Sequence, residues 1–317
     1  MAAIGENGHF MKEKIGSSRG TVLQVSRRRV LVTLDEGESL FAAVAANGEE
    51  PSVGDVVVVE PFPGGARVLS ILGRRSLLRR SYFGRTKNLA ANVGHLLIIT
   101  APGPLFNTHF IDRALVAAAA EGIPTSLIIN KIDLGLADIN PKLLEHYRRF
   151  ITQLLFVSCR ANEGVEAVEE IIAQNSPGHF VFCGVSGVGK SSLLNRILPN
   201  SGRSVGEVSR KTGQGKQTTS LAVGIPLRGA GDNAQLIIDT PGLQHFGLTH
   251  LLAASVPLYL PDLSLYAQRC EFRDCRHTVE PSCAVRKAVE DGDISPSRYE
   301  SYLHITEELR SAEKQGK

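Results

Sequence analysis

A chain of 317 residues with 43% hydrophobic and 21% charged side chains has enough apolar material for two or three cored units and the balance of a globular protein. The formal net charge of +3 singles out no class of partner. No apolar run approaches the roughly 20 residues that span a bilayer, which argues against a helical membrane protein.

Residues 1–17, MAAIGENGHFMKEKIGS, lack the apolar core of a secretory signal, and Glu6 and Glu13 argue against an organellar transit peptide. They are expected to form a disordered leader. From 18 to 75 the chain reads as five short β-branched runs, GTVLQV, RVLVTL, SLFAAV, DVVVVE and ARVLSIL, broken by Gly, Pro and acidic turns. Five strands with a VGD turn at Val53 to Asp55 suit a small closed barrel of the OB-fold kind, a type that often binds nucleic acid.

Charge is unevenly spread. From Pro61 to Ile111 there is no Asp or Glu, while Arg67, Arg74, Arg75, Arg79, Arg80, Arg85 and Lys87 all fall in that window. Arg27, Arg28 and Arg29 lie upstream. One-signed clustering is the footprint of phosphate-backbone binding. For Arg27 to Arg29 alone, a solvated strand edge that deters edge pairing explains the charge equally well. Residues 76–91 are expected to be a basic linker.

From 92 to 247 short apolar runs alternate with amphipathic helical ones: HLLIIT, FIDRALVAAAAEG, TSLIIN, PKLLEHYRRFI, QLLFVS, GVEAVEEIIAQ, HFVFC and SSLLNRIL, then LAVGIPL and AQLIIDT. This pattern predicts a parallel sheet covered by helices on both faces. The phosphate-binding pattern GxxxxGK[ST] is met by Gly184, Val185, Ser186, Gly187, Val188, Gly189, Lys190 and Ser191, with Ser192 following, between a predicted strand and a predicted helix. Backbone N–H groups of such a loop converge on phosphates. Lys190 can reach the β- and γ-phosphates, and Ser191 can ligate Mg²⁺.

Asn130, Lys131, Ile132 and Asp133 form NKID at the end of an earlier apolar run. An Asp there can accept both donors on the Watson–Crick edge of guanine, whereas adenine presents a different edge. Ser158 and Cys159 fall at the next strand end and can back the base. Asp239 to Gly242 reads DTPG, with Asp239 reaching Mg²⁺ through water and the Gly242 N–H sensing the γ-phosphate. Between the phosphate loop and that Asp lies GQGKQTTS, where Thr218 or preferably Thr219 would be the first-switch Mg²⁺ ligand. All elements of a GTPase are present, with base recognition ahead of the phosphate loop, a circular permutation. In this order the second switch feeds directly into the C-terminal segment, which a nucleotide-dependent movement could exploit. The position after DTPG holds Leu243, which cannot orient a water. Gln217, Gln244, His245 or a partner would have to do so.

Cys270, Cys275, His277 and Cys283 offer four ligands within fourteen positions of the C-terminal segment, 248–317, which is finally helical and charged. Three thiols and an imidazole suit a closed tetrahedral structural Zn²⁺ site. With Cys159 and Cys183 isolated at strand ends, the cysteine pattern points to a reducing, cytoplasmic setting.

The stretches IDRALVAAAAEGIPTSLIINKIDL, GVSGVGKSSLLN and CEFRDCRHTVEPSCAVRKAVEDGDISPSRYESY resemble the RsgA (YjeQ) family of circularly permuted, ribosome small subunit-dependent GTPases, and the likeness extends over nearly everything after residue 18. The resemblance implies an OB barrel, a permuted P-loop GTPase domain and a small zinc-binding, mostly helical C-terminal domain. It also implies a GTPase that assists late maturation of the small ribosomal (30S) subunit. Its partners would be that subunit, its 16S rRNA, GTP and GDP and other assembly factors, and the expected state is a monomer. The family has His before the paired threonines as a suspected catalytic residue, where this chain has Gln217. Lys190 and Thr219 complete the expected catalytic set. A GTP-binding rRNA scaffold with negligible turnover is the alternative, kept open by Leu243 and Gln217; an ATPase or kinase is disfavoured by Asp133.

Overall fold

The computed structural model describes residues 16–45, 48–82, 85–174, 177–198, 222–229, 234–240 and 246–315. The expected leader falls almost wholly outside these residues. So do Gln217, Thr218, Thr219, Gly242, Leu243, Gln244 and His245.

Five strands come first: β1 (Ser18–Val25), β2 (Arg29–Leu34), β3 (Ser39–Ala43), β4 (Val56–Phe62) and β5 (Gly65–Ile71). Val30, Val32 and Leu34 on β2, and Val57 and Val59 on β4, alternate with less buried residues, so each strand buries one side. β1 pairs with both β2 and β4, and β3 and β4 both pair with β5. The sheet therefore closes as a barrel in the order 1-2-3-5-4, around a core that includes Val22, Ala42 and Ala66.

The expected linker is a β-hairpin instead. β6 (Leu77–Tyr82) and β7 (Arg85–Ala91) form a separate two-stranded antiparallel sheet. Leu78, Leu89 and Ala90 are buried in the main core, so the hairpin packs down rather than spanning a gap. The basic window is also less bare than its sequence suggests. Arg74 donates to both oxygens of Asp55 at 2.7 Å and pairs with Glu49, Arg67 meets Glu60 at 2.6 Å, and Arg79 lies 3.9 Å from Glu121. Their partners all lie outside the acid-free window. Arg27, Arg28, Arg29, Arg75, Arg85 and Lys87 are exposed.

The remaining strands are β8 (Val93–Thr100), β9 (Thr125–Ile129), β10 (Leu154–Phe156), β11 (His179–Cys183), β12 (Val223–Arg228) and β13 (Gln235–Asp239). They lie in the order 10-9-8-11-13-12, all parallel except β12. Consecutive residues go to opposite faces. Leu96 and Ile98 of β8 join one core with Val181 of β11 and Ile238 of β13, whereas Leu97 and Ile99 join another with Phe180, Phe182 and Ile237. The second face is covered by α3 (Val165–Ala173) and α4 (Lys190–Ile197), and the first by α1 (Thr108–Ala120) and α2 (Pro141–Arg148). Asn107 starts α1 by accepting the Phe110 N–H at 2.9 Å.

The C-terminal segment adds α5 (Pro261–Ala267), α6 (Ala284–Glu290) and α7 (Pro296–Gln315). On α7 the buried Arg298, Tyr302, Ile305 and Leu309 recur at helical spacing, and the last three join the same core as α1. Arg298, 1% exposed, bonds Asp112 of α1 at 2.6 Å and Asp262 of α5 at 2.7 Å, with the Tyr147 ring beneath its guanidinium. Burying so polar a group in place demands this degree of pairing.

Barrel and sheet meet at the VGD turn. Gln24 of β1 pairs with Val223 of β12, and the Ala91 N–H donates to the Val53 carbonyl at 2.8 Å. The His179 Nε2–H donates to the Gly54 carbonyl at 2.9 Å, while its Nδ1 accepts the Leu236 N–H at 3.2 Å. Both bonds require the neutral ring, since a proton on Nδ1 would face an N–H. Burial pushes His179 down to about 4, with Arg75 adding to the fall and the Gly54 carbonyl opposing it.

A histidine whose folded pKa lies below its unfolded value contributes stability that is complete above the unfolded value and lost as pH falls toward the folded one. From pH 6.5 to about 4 this ring should therefore remove on the order of 3 kcal/mol. His179→Gln should be less stable than the parent at pH 7.5, and the gap in urea midpoint should narrow as pH is lowered through that window. A gap independent of pH would acquit His179.

Candidate functional site

The site lies at the C-terminal ends of β9, β10, β11 and β13, where open α/β sheets collect ligands. β11 runs into Gly184, and the phosphate loop ends on Gly189, the residue that opens α4. Gly189 has φ +89°, and a Cβ there would come within 2.3 Å of the Asn130 amide nitrogen. A Cβ on Gly184 would lie 2.4 Å from the Ile99 carbonyl. The glycines let two loops from distant parts of the chain touch.

Asn130 makes that contact specific. Its Nδ2 donates to the Val188 carbonyl at 2.8 Å, and its Oδ1 accepts from the Cys159 N–H at 3.4 Å. One buried amide thus joins the NKID loop, the phosphate loop and the loop after β10. Lys131 follows in the left-handed region at φ 62°, which turns the chain so that Asp133 is exposed on the site. The Ser158 hydroxyl donates to Asp133 Oδ1 at 2.5 Å and accepts the Ala161 N–H at 3.0 Å. Asp133 Oδ2 has no partner among the described residues, so one carboxylate oxygen is positioned and the other is available.

Lys190 is buried at the start of α4 and pairs with Asp239, whose strand sits beside β11 with Phe182 opposite Asp239. Burial pushes the Asp239 carboxyl above the usual carboxylate range, against the pull of the Lys190 ammonium. Thr240 Oγ1 donates to the Phe182 carbonyl at 2.8 Å and pins the start of DTPG. Ser191 and Ser192 are exposed on the first turn of α4. Cys159 and Cys183 are buried; burial raises both thiols, Cys183 to about 12, so neither is poised as a nucleophile.

Elsewhere, Cys270, Cys275, His277 and Cys283 bring their ligand atoms within 4.8 Å of one another. His277 Nδ1 lies 3.4 Å from Cys270 Sγ and 3.5 Å from Cys283 Sγ, and those sulfurs are 3.9 Å apart. A tetrahedral ion bonded at about 2.3 Å to sulfur and about 2.05 Å to nitrogen would set about 3.8 Å between sulfurs and about 3.6 Å from sulfur to nitrogen. The cluster fits a four-coordinate metal. His277 and Ser282 both have left-handed backbones, at φ 56° and 53°, which fold the loop around the four ligands. The Tyr299 hydroxyl braces it from α7 through the His277 carbonyl, at 2.6 Å.

The Ser158–Asp133 bond, the Lys190–Asp239 pair and the Thr240 anchor are not written in any motif. Asp133, Ser158, Lys190 and Asp239 each carried a signal of their own in the sequence, but their contacts with one another did not.

The model of the RsgA GTPase family matches residues 71–249. The chain belongs to the RsgA GTPase family. The relative from Haemophilus influenzae named small ribosomal subunit biogenesis GTPase RsgA is 33% identical over 304 residues, covering 95% of this chain and 83% of its own. Its namesake from Azotobacter vinelandii is 40% identical over 256 residues, covering 79% and 72%. The crystal structure of YjeQ from Thermotoga maritima is similar with a TM-score of 0.66 and 27% identity, covering 92% and 98%. That of YloQ, described as a circularly permuted GTPase, shares the fold with a TM-score of 0.65 at 23% identity over 98% of both chains. Like other members, this RsgA-family chain is a GTP-hydrolysing enzyme, with the phosphate loop after the NKID loop in sequence and against it in space.

Asn130→Ala removes one donor and one acceptor from the point where the loops meet. The Val188 carbonyl would be left unsatisfied at a cost of about 1–3 kcal/mol. GTP affinity should fall by roughly tenfold or more with the metal content unchanged, as read by calorimetric titration and elemental analysis. Parent-like affinity would show that the loops hold their places without the amide.

Proposed function

We propose that this protein is a cytoplasmic, monomeric GTPase that binds the small ribosomal subunit, assists its late maturation, and hydrolyses GTP to GDP and phosphate when the subunit is engaged. The observation that carries the reading is the Asn130 junction, which assembles a guanine-reading and a phosphate-reading loop in permuted order. The names of its relatives supply the subunit.

In this reading the Asp133 carboxylate, aimed by Ser158, accepts the guanine N–H donors, with Lys131 and Ile132 along the base and Cys159 behind it. Residues Gly184 to Gly189 cradle the phosphates. Lys190 leaves Asp239 for the β- and γ-phosphates, which is an exchange of one anionic partner for another. Ser191 and Thr219, with Asp239 through water, hold Mg²⁺, which would neutralise charge developing on the phosphate oxygens. Gly242 senses the γ-phosphate, and Gln217 orients the attacking water. The metal of the C-terminal cluster is zinc, as three thiolates and one imidazole favour.

RNA contact falls to the exposed Arg27, Arg28 and Arg29 on the barrel and to Arg75, Arg85 and Lys87 on and beside the hairpin. 16S rRNA and other assembly factors complete the partner set. The permutation gives the second switch a short route outward. Four residues past Gly242, the Phe246 carbonyl accepts from Arg113 of α1 at 3.4 Å, and the same guanidinium bonds Glu308 of α7 at 2.5 Å. The next residue, Gly247, accepts the Ser81 N–H of the hairpin at 2.8 Å. A nucleotide-dependent shift of residues 239–242 thus has mechanical links to both the hairpin and the C-terminal helix.

Single-turnover GTP hydrolysis with small and large subunits added separately tests the reading. Small subunits alone should accelerate the parent, and Gln217→Ala should lose roughly 10²-fold of the stimulated rate with GTP affinity nearly unchanged. Equal rates with and without subunits would favour the scaffold reading. A parent-like Gln217→Ala would make that residue a bystander.

For the metal, Cys275→Ser should lose one equivalent of zinc and destabilise the segment around α6, while GTP still binds. A metal-free variant with α6 and α7 as protected from hydrogen exchange as in the parent would refute a structural role.

A further inference from the structure

A cavity of about 510 Å³ lies away from the nucleotide loops, between the metal-binding loop, the 3-10 turn Ala253–Tyr259 and α7. Arg273 and Arg276 line it from the loop, and Arg310 and Lys314 from α7, against two carboxylates, Asp274 and Glu313. Glu313 is already engaged, since Oε1 accepts the Ala253 N–H at 2.9 Å. Among the described residues, none of the four cations takes part in a salt bridge.

Both walls are fixed. Arg276 sits between the ligands Cys275 and His277, and its carbonyl accepts from the Tyr302 hydroxyl at 2.8 Å. Arg310 and Lys314 are one turn apart on a single helix face. Like charges gathered in a concavity repel one another and focus a positive potential there, an arrangement that a polyanion relieves. The one aromatic ring in the lining, Tyr302, is 1% exposed, so no base can stack on it. Guanidinium forks and an ammonium instead match phosphate oxygens.

We infer that this cavity is a second phosphate site, which takes closely spaced phosphate groups through Arg273, Arg276, Arg310 and Lys314. The phosphates can come from a free polyphosphate chain or from the backbone of an RNA strand. The site is independent of GTP turnover, so its failure and that of the GTPase reading are distinguishable.

The test uses the full chain with its nucleotide site saturated by a non-hydrolysable GTP analogue. Inorganic tripolyphosphate is titrated by calorimetry, and a labelled single-stranded RNA oligonucleotide by anisotropy over a range of salt. The proteins are the parent, Arg273→Ala, and the double variant Arg310→Ala with Lys314→Ala, each checked for parental metal content and GTP affinity. The double variant should lose about tenfold or more in tripolyphosphate affinity. Its RNA salt slope should shrink by about one for each cation removed. Loss of tripolyphosphate alone would assign the site to free polyanions, and loss of RNA binding would assign it to a strand; either supports the inference. Neither probe binding the parent, or both binding the two variants as tightly as the parent, would overturn it.

Discussion

The carboxamide of Asn130 is the point on which the nucleotide site depends. Among the described residues it is the one side chain that bonds the loops flanking it from three strand ends, and it does so from a buried position, where losing a partner is costly. Chain order is irrelevant to such a contact. What matters is that β9 and β11 flank β8 in the sheet, so their C-terminal loops converge whichever strand is made first. A permuted chain can therefore rebuild the same site, provided the amide and the glycine opposite it, Gly189, are retained.

The rest of the molecule is arranged around the same sheet. One face is sealed by helices of the GTPase unit itself, and the other is shared with the C-terminal segment through Tyr302, Ile305 and Leu309. That segment has the Cys₃His cluster but, among the described residues, no core of its own. Arg298 is the pivot of the joint, with two carboxylates and an aromatic face contributed by three helices. A guanidinium buried this way specifies where α7 must lie more sharply than apolar contact would, because any displacement leaves charge unpaired.

Much of this was legible in the residues. β-branched runs broken by turn residues marked all five barrel strands, continuous apolar runs marked the parallel strands, and the spacing of Cys270, Cys275, His277 and Cys283 marked a cluster that the fold brings together. Residues 76–91 were misread as a linker because their charge was weighed and their strand signals were not: two β-compatible runs either side of Phe83 and Gly84 make a hairpin. The basic footprint was overstated for a related reason. Arg67, Arg74 and Arg79 are answered by acids that lie outside the window in sequence but beside it in space, which no linear reading of charge reveals. The bonds that aim Asp133 and tether Lys190 depend on strand register, which motif spacing does not encode.

The single rung between Gln24 and Val223 makes barrel and GTPase sheet one continuous ladder. β12 is otherwise the last strand of the GTPase sheet, and its outer side would offer unpaired N–H and C=O groups to any passing strand. The barrel caps one end of that edge, and Pro226, which has no N–H to donate, interrupts it further along. The barrel thus covers part of an edge that is otherwise open to strand pairing. A chain cut before β6 would retain every nucleotide ligand named here and yet carry an open, adhesive border, so its failure in solution would be precipitation rather than loss of affinity for GTP.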